Sequence, residues 1–193
     1  CNEAKEYDFF SVCVNSSYVS LAAKELKNSN VKIAAVVGFP LGACTTETKA
    51  FEAYEACKLG ASEIDMVINI GKLKSCNFDY VKKDIAAVVN VSLKNKTIVK
   101  VILETCLLTN EEIIKVCLIA KDAGAEFVKT STGFSSGGAT EENVRLMKET
   151  VGNSMQVKAS GGIRDYNAAM AMINAGADRL GTSASISIIN AQK

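Results

Sequence analysis

Histidine and tryptophan are missing from this 193-residue chain, and proline occurs once. Without histidine there is no ordinary general base near neutral pH, no serine–histidine pairing and none of the usual zinc ligand sets. No stretch approaches the roughly 20 consecutive apolar residues of a membrane helix. No long run of one charge sign, and no RNA-binding aromatic motif, offers a footprint to nucleic acid or a membrane surface. With 22 basic against 21 acidic residues and a net charge of +1, the ligand is expected in a pocket. The seven cysteines (1, 13, 44, 57, 76, 106 and 117) include no C-x-x-C pair, and their odd number fits free thiols in a reducing cytoplasm.

What is present is an ordinary globular composition, 48% hydrophobic and 22% charged, enough for one core and hence one domain over residues 1–193. The chain opens CNEAKEYDFF, without methionine and in what reads as the last turns of a helix. It is therefore expected to be a fragment lacking its N-terminal strand and its extreme C-terminus, so the arguments from absence apply to this segment alone.

Short β-branched runs alternate with amphipathic stretches throughout. Strands are predicted at 9–14, 32–39, 63–70, 97–104, 126–132, 155–160 and 179–183, with helices near 16–28, 45–59, 78–94, 110–123, 140–150 and 165–175. Thr109 followed by Glu112, and Asp165 before an alanine-rich run, mark helix starts. Three helix ends repeat one phrase, CKLGASEIDM, AKDAGAEFVK and INAGADRLGT, in which glycine supplies a left-handed cap and an acidic residue precedes the next strand. Such alternation gives a parallel sheet covered by helices. Seven units plus a leading helix whose strand is absent count to eight, so a (β/α)8 TIM barrel is favoured. The lack of a G-x-G-x-x-G turn weighs against a doubly wound dinucleotide fold.

Inside such a barrel alternate strand residues point inward, and four of them are charged: Asp65, Lys100, Lys129 and Lys158 on consecutive strands. One strand lysine by itself is usually a side chain reaching for solvent, but four charges at similar depth are harder to explain so. Burying an unpaired ammonium costs several kcal/mol, so three lysines with one aspartate imply a missing partner or a lysine held neutral. A neutral amine on Lys129, its proton affinity lowered by burial and by Lys158 on the neighbouring strand, could attack a carbonyl and form an iminium. That electron sink allows carbon–carbon cleavage without metal, with Asp65 and Lys158 moving protons, directly or through water.

Two glycine-rich turns follow. SGGIRD (160–165) opens a helix after the Lys158 strand, and GTSAS (181–185) follows the last strand. Gly161, Gly162 and Ser183 thus fall where barrels bind phosphate, although glycine pairs also serve as plain turns. FSSGGAT (134–140), ending in the N-cap candidate Thr140, reads as a mobile loop, either touching substrate or a simple linker. Cys13 is expected to be a buried small hydrophobe, with substrate lining as the second reading. Glu104 and Thr105 lie at the expected catalytic rim.

At SVCVN, AAVVGFPLG, EIDMVINIG, KVILETCLLT, FVKTSTGF, VKASGGIR and GTSAS the chain strongly resembles the deoxyribose-phosphate aldolases, metal-free Schiff-base aldolases with a (β/α)8 barrel. The resemblance covers nearly the whole chain, and FVKTSTGF with VKASGGIR is far more specific than the fold. It implies that Lys129 forms the Schiff base, that Lys158 lowers its pKa, and that Asp65 is the acid of a proton relay. Thr132, Gly161, Gly162 and Ser183 would line the substrate and phosphate site, with Cys13 nearby. The implied reaction splits 2-deoxy-D-ribose 5-phosphate reversibly into acetaldehyde and D-glyceraldehyde 3-phosphate, in deoxynucleoside breakdown and with no cofactor. Dimers are common in the family, so a homodimer is an expected assembly. Three departures stand out: an Asp-His-Thr stretch on the absent strand, whose aspartate is the implied partner of Lys100; a C-terminal tyrosine; and a second phosphate serine where this chain has Ala184.

Competing readings are another phosphosugar lyase or isomerase, a transaldolase-type barrel, and a non-catalytic phosphosugar-binding barrel. Zinc-dependent aldol chemistry is disfavoured by the missing histidines, and pyridoxal phosphate on Lys129 would have to show a visible absorbance band.

Overall fold

The computed structural model describes residues 1–191. Helix α1 (Asn2–Glu6) precedes strand β1 (Ser11–Asn15), and a 3-10 turn over Ser16–Tyr18 leads into α2 (Val19–Glu25). Then come β2 (Lys32–Val37), α3 (Thr46–Lys58), β3 (Glu63–Val67), α4 (Ile70–Lys74), α5 (Phe78–Lys94) and β4 (Ile98–Ile102). After a 3-10 turn at Thr105–Leu107 the chain forms α6 (Asn110–Asp122), β5 (Phe127–Lys129), α7 (Glu141–Val151), β6 (Gln156–Ser160), α8 (Tyr166–Asn174), β7 (Arg179–Gly181) and α9 (Ser185–Asn190). The seven strands are all parallel and pair in chain order from β1 to β7. The sheet curls into a TIM-barrel-like α/β fold that, among the described residues, is open between β1 and β7.

The period of two along each strand divides its residues between two environments. Ile64 and Met66 of β3, Val99 and Val101 of β4, Val128 of β5 and Val157 and Ala159 of β6 join one apolar cluster with Ile85 and Val88 of α5, Val116 of α6 and Met147 of α7. Each such aliphatic side chain contributes about 1.5–3 kcal/mol on burial. The opposite face carries the charges, in the register Asp65 beside Lys100, Ile102 beside Lys129, Lys129 beside Lys158 and Lys158 beside Arg179.

The repeated helix-end phrase has one structural meaning. Gly60, Gly124 and Gly176 have φ of +114°, +86° and +109°, a region that glycine enters without steric cost. The alanine after each donates its N–H to a carbonyl five residues back, Ala61 to Ala56, Ala125 to Ala120 and Ala177 to Met172, at 3.0 to 3.1 Å. The residue after that alanine caps the neighbouring strand. Glu126 accepts from the Val99 N–H at 2.7 Å, Asp178 from the Val157 N–H at 2.8 Å, and the Ser62 hydroxyl from the Ile33 N–H at 3.2 Å. Ser62, not Glu63, is therefore the counterpart of the two acidic caps, which leaves Glu63 one position on, inside the barrel.

Other start signals behave as the sequence implies. Thr109 and Glu112 form the full capping box, and Thr140 and Asp165 cap α7 and α8. The expected strands 63–70 and 126–132 are shorter in the structure. The first ends where the Asn69 side chain caps α4, a helix not anticipated in a run rich in isoleucine. The second ends where Thr132 turns to bond Glu104. Between α3 and α5 lies a fully buried ion pair, Lys49 Nζ to Asp84 Oδ2 at 2.5 Å, with the Thr46 hydroxyl donating to Asp84 Oδ1 at 3.0 Å.

Candidate active site

The inward charges converge on one carboxylate. Asp65 has no exposed surface, and its two oxygens accept from three ammonium groups: Oδ1 from Lys100 at 2.9 Å, Oδ2 from Lys129 at 2.8 Å and from Lys158 at 3.0 Å. Burial works to raise the Asp65 pKa, but Lys129, Lys158 and Lys100 outweigh it and hold the carboxyl well below the usual range. The aspartate is thus an anion at any physiological pH.

The two lysines on Asp65 Oδ2 differ. Burial is the largest influence on both and opposes their charge; on Lys158 it wins, with Lys129 and Lys100 adding like-charge repulsion, and its pKa falls below the ordinary value. On Lys129 the attraction of Asp65 wins, and its pKa rises. Burial and the repulsion between neighbouring ammonium groups thus press a proton off the pair, while Asp65 works to keep both charged. The two groups share one carboxylate oxygen, so they titrate as a coupled pair, and the missing proton can pass between them.

Lys100 has two partners among the described residues. Its ammonium donates to Glu63 Oε2 at 2.6 Å as well as to Asp65, and the Arg179 guanidinium donates to Glu63 Oε1 at 3.0 Å. Sequence reading missed this second carboxylate. Glu63 lies two residues before Asp65 on the same strand face, and Arg179 pairs in register with Lys158.

Above this layer a cavity of about 1320 Å³ is lined by Cys13, Lys129, Thr132, Lys158, Gly162 and Ser183, among others. Gly161 lines it too, whereas Asp65 does not. Asp65, without exposed surface, holds the two lysine ammonium groups that border the cavity. Cys13 is exposed and lines the cavity, so it is not the expected buried hydrophobe; its Sγ lies 3.9 Å from Asp65 Oδ2. Burial first, and the Asp65 charge second, push its thiol pKa up.

Thr132 sits at the mouth. Its N–H donates to Glu104 Oε1 at 3.3 Å and its hydroxyl donates to Glu104 Oε2. Glu104 is buried and holds a left-handed φ of +58°, a conformation costing a non-glycine residue on the order of 1–3 kcal/mol. That residue, expected at the catalytic rim, therefore anchors Thr132. The FSSGGAT loop is docked, not free: the Ala139 N–H donates to Gly161 O at 2.9 Å, and a Cβ on Gly138 would stand 2.2 Å from that oxygen. At the other turn Asp165 Oδ1 accepts from the N–H of Ala168, the third residue of α8, at 2.8 Å. A further donor lies upstream of the helix. Gly162 has φ of +79°, nothing within 4 Å of the place a Cβ would occupy, and an N–H without an acceptor among the described residues. Arg164, also missed in the sequence, lines the same cavity.

This geometry has known counterparts. Residues 1–187 match the model of the DeoC/LacD family aldolases. The chain is 62% identical over its full length to the deoxyribose-phosphate aldolase of Clostridium novyi, covering 86% of that protein, and 60% identical to that of Clostridium tetani, covering 89%. The structure superposes on the tetrameric deoxyribose phosphate aldolase of Aeropyrum pernix with a TM-score of 0.92 at 31% identity, over 99% of this chain and 80% of the other. The chain belongs to the DeoC/LacD family of aldolases.

Proposed function

We propose that the chain is a Schiff-base aldolase that cleaves 2-deoxy-D-ribose 5-phosphate, reversibly, to acetaldehyde and D-glyceraldehyde 3-phosphate in deoxyribonucleotide catabolism. The observation that carries this reading is the pair Lys129 and Lys158, both facing the cavity and both bonded to one buried carboxylate oxygen. Binding alone does not need such an arrangement; covalent amine chemistry does.

The pair gives up one proton, and transfer across the shared Asp65 Oδ2 leaves Lys129 as the free amine. That amine adds to the C1 carbonyl of the open-chain sugar, and loss of water gives an iminium. Removal of the C3 hydroxyl proton lets the C2–C3 bond break, with its electron pair flowing into the iminium to give an enamine. Glyceraldehyde 3-phosphate leaves, the enamine takes a proton on carbon, and water releases acetaldehyde and restores Lys129. Lys158 is the residue placed to carry these protons, since it lies beside Lys129 in register and borders the cavity. Gly161, Gly162 and Ser183 hold the phosphate, Thr132 contacts the sugar chain, and Cys13 lines the acetaldehyde end. Among the described residues no helix is long and apolar enough to cross a membrane.

The test is borohydride reduction in the presence of acetaldehyde or the sugar phosphate, followed by intact mass and peptide mapping, with Lys129→Leu as control. A two-carbon adduct on Lys129, absent from the control, is the expected result. A folded protein that traps nothing has a phosphosugar-binding role instead.

A further inference from the structure

The layer of charge beneath Asp65 is not used by the reaction just described, yet it is fully built. Glu63 is 3% exposed and both its oxygens are committed, Oε2 to Lys100 at 2.6 Å and Oε1 to Arg179 at 3.0 Å. Arg179 crosses from β7 to β3 to make that contact, and its guanidinium carbon lies 3.7 Å from the centre of the Phe10 ring and 5.2 Å from that of Phe127. Lys100 in turn divides its ammonium between Glu63 and Asp65 Oδ1. A continuous chain of charge therefore runs from Arg179 through Glu63, Lys100 and Asp65 to Lys129 and Lys158.

We propose that Glu63 and Arg179 are positioning residues of the lysine pair: Glu63 draws Lys100 partly away from Asp65, Arg179 limits the negative charge of Glu63, and together they set the positive charge that Lys129 and Lys158 experience. The inference rests on the aldolase reading for its consequence in catalysis, though not for its physical basis. The other charged and titratable groups facing the pair are Cys13 from β1, Asp65 from β3, and Lys100 and Glu104 from the β4 strand and its end. At the corresponding positions β2 offers Ala34 and Val36, which carry no charge.

A purely mechanical role is the rival explanation, because the same ion pair also ties β7 across the barrel to β3. The two roles differ in sign. Removing the anion with Glu63→Gln makes the lysine site more positive and favours neutral amines, so the pair titrates at lower pH. Removing the cation with Arg179→Met does the reverse. A mechanical strap loses the same link in both variants and moves both in the same direction.

The experiment reads the lysines without requiring turnover. Brief acetylation of the full chain by acetic anhydride at a series of pH values, with peptide mapping of Lys129 and Lys158, gives the pH at which each amine becomes reactive. The expected result is a displacement of roughly half a pH unit or more, downward in Glu63→Gln and upward in Arg179→Met, with Arg179→Lys restoring the wild-type profile. The pH dependence of iminium trapping by borohydride should move in the same directions. Equal profiles in all variants, or shifts of the same sign in both, overturn the proposal. If Arg179→Met does not fold, Glu63→Gln against Glu63→Asp reads the same sign, since the aspartate keeps the charge. Absence of an iminium in the wild-type protein would sink the aldolase reading alone and leave the acetylation profiles to decide the electrostatic one.

Discussion

Replacing Asp65 by asparagine tests the charge architecture more directly than any other single change. The carboxylate is fully buried and accepts three ammonium bonds at 2.8, 2.9 and 3.0 Å; the amide that replaces it has nearly the same shape and no charge. Removing one partner of a buried charge pair costs about 3–5 kcal/mol, because the remaining ions are left uncompensated. Here the stranded groups are lysines, and they have an escape, which is to release a proton. Their folded-state pKa values then fall below the unfolded value, so at neutral pH the unfolded chain binds more protons than the folded one and stability rises with pH. Each lysine neutral when folded and charged when unfolded adds about 1.4 kcal/mol per pH unit. The wild-type protein lacks most of this dependence, since the Asp65 charge works to keep both lysines protonated. Urea unfolding of both proteins at pH 6.5, 7.5 and 8.5 measures the effect. The expected deficit of the variant is about 3–5 kcal/mol at the lowest pH, narrowing by about 2–3 kcal/mol at the highest. A deficit below about 1 kcal/mol, or one constant across the range, would show that the lysines are not held by this carboxylate.

Two further outcomes follow from the same structure. Lys49→Met leaves the Asp84 carboxylate buried without its cation, and should cost about 3–5 kcal/mol in urea unfolding, whereas Lys49→Met with Asp84→Leu should recover most of that loss; equal losses in the single and double variants would contradict it. Cys13 is exposed to the cavity but its thiol pKa is pushed up by burial and by Asp65, so iodoacetamide at pH 7.5 should modify it more slowly than the exposed Cys76. In Asp65→Asn the carboxylate charge no longer opposes the thiolate and Cys13 should react faster; an unchanged rate would show that Asp65 does not govern this thiol.

The fold was legible because its signals are local. Glycine caps, the Thr109–Glu112 box and β-branched runs each concern a few neighbouring residues, and the repetition of one βα unit made the parallel order readable without any contact information. The inward lysines were legible for a similar reason, since a charge in an apolar run is conspicuous. Glu63 was not, because it stands at the beginning of its strand beside a phrase in which acidic residues recur as caps, and only the bond from Ser62 to Ile33 shows that the cap is one residue earlier. Arg179 was hidden by distance: its partner lies 116 residues away, and no pattern within β7 announces it.

Under the proposed reaction the charge count favours holding the phosphate on neutral groups at the glycine turns. Lys100, Lys129, Lys158 and Arg179 face Asp65, Glu63 and the buried Glu104, so the interior keeps an excess of one positive charge, and burial together with repulsion from Lys129 and Lys100 works against the Lys158 proton. A phosphate drawn directly onto these lysines would cancel the excess, raise their proton affinity and silence the amine. Gly161, Gly162 and Ser183 avoid this conflict. They border the same cavity at the turns after β6 and β7, and backbone amides and a hydroxyl can hold an oxyanion while adding no net charge. Under the proposed reaction the lysine excess steers the sugar phosphate into the barrel, the glycine turns keep its phosphate away from the lysines, and the carbonyl end alone reaches Lys129.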